Sequence, residues 1–81
     1  MIDTIDKLRI LERSYFQLID RAATRTELDA TVESLAEELD RNPPPDNWWA
    51  EAMRLVPSAD PWDCLWASLL FRAYKHRETL R

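Results

Sequence analysis

The sequence predicts an all-α protein, a compact four-helix domain built from two αα-hairpins joined by a proline-rich corner. Three observations carry this. Glycine is absent from all 81 residues, which removes the tight hairpin turns of β proteins and the glycine loops that cradle phosphates. Apolar residues recur at spacings of three and four through four segments, the period of a helix face. The five prolines fall between those segments or at the start of one, where a helix tolerates them.

The first helix is expected over about 3–23, with Asp3 as N-cap. Leu8, Leu11, Tyr15, Leu18 and Ala22 form its stripe, and Ile5 and Ile19 widen it. The heptad rhythm lasts about two repeats, too short for a coiled coil, so the helix reads as one arm of a hairpin. A second helix, about 26–41, opens at the capping-box pattern Thr24-Arg25-Thr26-Glu27, with Thr26 and Asp29 as a second candidate cap. Its stripe of Leu28, Val32, Leu35 and Leu39 is narrow and backed by acids, the pattern of a helix lying on a core. Asn42 precedes proline and is driven out of the α region, so this helix should end near Arg41.

Pro43, Pro44 and Pro45 favour an extended, semi-rigid spacer. Asp46 or Asn47 then caps a short helix, about 47–56, stopped by Pro57. Trp48, Ala52, Leu55 and Val56 share its inner face, whereas Trp49 lies about 100° round and Met53 further still. The best-marked boundary is "SADPWD": Asp60 caps, Pro61 takes the first helical position, and Asp63 suits the helix dipole. The fourth helix, about 61–78, has Trp62, Trp66, Leu69, Ala73 and Leu80 on one face. Cys64, Ala67, Phe71 and Tyr74 lie on the other, and no charge occurs from Cys64 to Phe71. Such a helix needs cover on every side. Without glycine, helices must end at prolines or in direct turns.

Hydrophobic residues make up 46% and charged residues 32%, which is globular composition. No run reaches the roughly 18 to 20 apolar residues of a membrane span, and "MIDTIDKLRI" carries acids where a signal peptide wants bases and lacks its apolar stretch. Cys64 is the single cysteine and forms no internal disulfide, so the cytoplasm is the expected location. Net charge is −4, which argues against nucleic acid as partner. Eight acids and one base lie between Glu27 and Glu51, and four bases and one acid between Phe71 and Arg81.

No residue set points to catalysis. His76 and Cys64 are the only histidine and cysteine, with no metal-ligand spacing and three helical turns between them. Glu33 and Glu37 sit one turn apart on a face that reads as solvated, without the burial that a carboxylate pair needs for proton transfer. No enzyme activity, cofactor or metal is expected. Read as a helix-turn-helix, the last two helices would offer Asp60, Trp62 and Asp63 to phosphates that repel acids. The basic tail reads as a complement to the helix dipole.

The aromatics carry the remaining signal. Trp48, Trp62 and Trp66 are placed as packing residues, whereas Trp49, Met53, Phe71 and Tyr74 lie off the inner faces. Tryptophan, tyrosine and methionine are favoured where one protein anchors on another. With the acids Glu33, Glu37, Glu38, Asp40 and Asp46 they make the candidate protein-binding set, suited to a partner with a basic surface. The expected function is a non-catalytic, acidic protein-binding module: an adaptor, an accessory subunit or an inhibitor, such as a phage-type blocker of a nucleic-acid-handling complex. A homo-oligomeric helical structural protein, in its simplest form a homodimer, is the alternative, and a DNA-binding regulator comes third.

Overall fold

The computed structural model describes residues 4–42, 47–55 and 60–80. The expected Asp3 cap, the proline corner with Asp46, Val56 and the Pro57 stop lie outside the described residues. Four helices follow in order: α1 (Thr4–Arg21), α2 (Arg25–Glu38), α3 (Trp48–Leu55) and α4 (Pro61–Thr79). The described residues contain no strand. The protein is all-α, and its helices pack into one compact domain.

The caps explain most boundaries. Thr24 is extended and its Oγ1 accepts the Glu27 N–H at 3.1 Å, which selects it over Thr26. Glu27 returns the bond to Ala23 N–H at 2.8 Å, one residue ahead of the usual capping-box partner. Asp60 accepts the Trp62 N–H at 3.0 Å, with Pro61 opening α4. At α3 the Asn47 side chain faces the Ala50 N–H at 3.5 Å.

α2 ends at Glu38, before the expected Arg41, and proline does not end it. Asp40 turns left-handed at φ 55°, its N–H donates to Glu37, and the Arg41 N–H donates to the Ala36 carbonyl at 2.7 Å. These are the two bonds of a Schellman motif. Aspartate does here what glycine usually does, because a short polar side chain tolerates the left-handed region better than a branched one.

α4 is the hub. It packs against all three other helices, most extensively α3 and α1, while α3 touches only α4 among the described residues. α1 packs more on α4 than on its sequence neighbour α2, so the contacts centre on one helix and do not divide into two separate pairs. The side-chain ties give the directions. Asp20 meets Arg72, and His76 meets the Ala22 carbonyl, so α1 runs parallel to α4. Asp29 meets Arg77 and Arg41 meets Asp63, so α2 runs antiparallel to it.

Ile19, Leu28, Val32, Leu35, Leu69 and Leu70 are the largest fully buried side chains. Leu65, Trp66, Ala67 and Ala73 join them, so the apolar run of α4 is buried on most of its circumference. Two stripe residues depart from expectation. Leu18 is 43% exposed, because α1 centres its packing on Ile19, about 100° away and fully buried. Trp62 is 40% exposed in the first turn of α4. No helix among the described residues is long and apolar enough to cross a membrane.

Candidate protein-binding site

The two adjacent tryptophans part company. Trp48 is 5% exposed and enters the core, with the Arg77 guanidinium 5.7 Å from its ring centroid. Trp49, about 100° round the same helix, meets a different face of α4. Its ring lies 4.5 Å from Phe71, edge-on at 69°, and 6.0 Å from Tyr74, tilted at 45°. Phe71 and Tyr74 are one turn apart on α4 and half-buried. Trp49 is still 41% exposed, and Met53, one turn along α3, is 47% exposed. Three of the four off-face residues thus form one cluster, and Met53 prolongs it along α3.

Such aromatic pairs contribute about 0.5–1.5 kcal/mol each beyond area burial. Here they also hold the exposed indole in one orientation. A pre-ordered anchor loses less entropy on binding than a mobile one, and buried tryptophans are frequent energetic centres of interfaces.

Beside the cluster an open depression of about 280 Å³ is lined by Cys64, Ala67, Ser68 and Phe71. A second, of about 180 Å³, shares Cys64 and Ser68 and extends to Leu8, Arg9, Glu12, Pro61 and Leu65. Together they form a groove floored by α4. Viewed along its axis at about 100° per residue, α4 sends Arg72 to α1 and Arg77, about 140° further, to α2. Tyr74 and Phe71 follow toward α3, and Cys64, Lys75 and Ser68 occupy the sector left between α3 and α1.

The acids behave differently. Glu33, Glu37, Glu38 and Asp40 are all exposed, and none is in an ion pair among the described residues. Asp20 pairs with Arg72, Asp29 with Arg77 and Asp63 with Arg41 across elements, and Glu51 pairs with Arg54 within α3. The Arg72 hydrogen bonds hold the Asp20 carboxyl below the usual aspartate range, and those of Arg54 do the same for Glu51. Burial, then the charge of Glu38, raises the Tyr15 hydroxyl above its usual value. α2 packs on α1 and α4 and makes no helix contact with α3, so among the described residues no contact joins Glu33, Glu37, Glu38 and Asp40 to Trp49 and Met53. The sequence had placed both in one binding set.

Two bases of the tail, Arg72 and Arg77, are tied into the fold. Arg72 forks onto both Asp20 oxygens, at 3.0 and 2.5 Å, and its guanidinium lies 4.8 Å from the Phe16 ring centroid. His76 is not a bystander at the helix end. It is half-buried, and its Nε2–H donates to the Ala22 carbonyl at 2.8 Å, which a carbonyl acceptor requires. That carbonyl belongs to the end of α1, where the intrahelical ladder has run out. No local pattern marks these ties, since their partners are more than fifty residues apart.

Among the described residues no three His, Cys, Asp or Glu side chains are grouped to hold a metal ion. No family model matches the chain, and neither does any curated protein or solved structure.

Proposed function

We propose that this chain is a non-catalytic, acidic protein-binding module that anchors a partner on Trp49. The observation that carries the reading is the half-exposed indole, held by Phe71 and Tyr74 with Met53 beside it. The exposed Glu33, Glu37 and Glu38 of α2, in no ion pair among the described residues, support a second contact, with a basic surface. Two surfaces on different helices favour an adaptor over an inhibitor with a single face. The single cysteine accords with a reducing compartment such as the cytoplasm. The engagement of Arg72 and Arg77 with Asp20 and Asp29 weighs against a phosphate-binding tail.

The test is capture of partners from the native host by wild type, Trp49→Ala and the double variant Glu37→Lys/Glu38→Lys, read by mass spectrometry. Trp49→Ala should lose one partner while its helical circular dichroism persists. The double variant should lose a salt-sensitive partner. Identical capture by all three proteins would refute the reading. A homodimer is the second reading, favoured by Ile10 at 58% and Leu18 at 43% exposure on α1. A light-scattering mass of twice the chain would select it.

A further inference from the structure

We draw no further inference here: the strongest candidate, the open depression on α4 lined by Cys64, Ala67, Ser68 and Phe71, carries no proposal because nothing in the structure shows what covers it.

Discussion

Asp40→Gly should stabilise the protein, although it puts the first glycine into a chain that has none. Asp40 sits at φ 55°, where an L-residue is disfavoured by about 1–2 kcal/mol and aspartate by somewhat less. Glycine removes that strain. It also removes a carboxylate from the C-terminal end of α2, where the helix dipole disfavours an anion by about 0.3–1 kcal/mol. Against this stands the larger entropy of glycine in the unfolded chain, about 0.4–1 kcal/mol. The net gain is about 1 kcal/mol, or roughly 4–8 °C in melting temperature for a domain of this size. Asp40→Asn should recover the dipole part alone. Asp40→Val should lower the melting temperature, since a β-branched residue resists the left-handed region most. Thermal melts followed by circular dichroism measure all three. If Asp40→Gly melts below wild type, or Asp40→Val equals it, the glycine-free Schellman ending of α2 is wrong.

Trp48→Ala and Trp49→Ala should behave as opposites. The first empties the core and should cost about 3–5 kcal/mol, enough to unfold a domain of this size near room temperature. The second loses its two ring contacts, to Phe71 and Tyr74, about 1–3 kcal/mol together beyond area burial, and should still fold; equal losses would place both indoles in the core. For pH, the folded-state Asp20 carboxyl is depressed below its ordinary value of 3.8. Its contribution is therefore full above that value and is lost as pH falls through the lower folded value. The pair is nearly half exposed, so the effect is under about 1 kcal/mol. Melts from pH 6 to pH 2.5 should show a shallower acid loss in Asp20→Asn than in wild type, and an identical slope would remove the Arg72 pair from the stability of the fold.

Much of the local structure was legible in the chain. The Thr24 and Asp60 caps, the Pro61 start, and the stripe of Leu28, Val32 and Leu35 each depend on neighbours within a turn or two. Proximity in sequence is proximity in a helix. Trp49 could be set apart from Trp48 for the same reason, because 100° of helical rotation separates consecutive side chains whatever surrounds them. The end of α2 was misplaced, since the proline rule bounds only the residue before it. Asp40 ended the helix earlier by a conformation that its composition permits but does not announce.

The sequence by itself determined the four helices, the Thr24 and Asp60 caps, most of the apolar faces and the segregation of acid into the middle of the chain. The tertiary structure alone decided that α4 is the hub, that Arg72, His76 and Arg77 tie the helices together, and that Trp49 meets Phe71 and Tyr74. It also kept α2 off the helix that carries Trp49 and left an open depression on α4 beside Phe71. The physical reason is the range of the interactions. Helix propensity, capping and periodicity act over one or two turns, so a linear pattern records them. Which helix covers which face depends on burying apolar surface among segments fifty residues apart, and that area has no address in the chain.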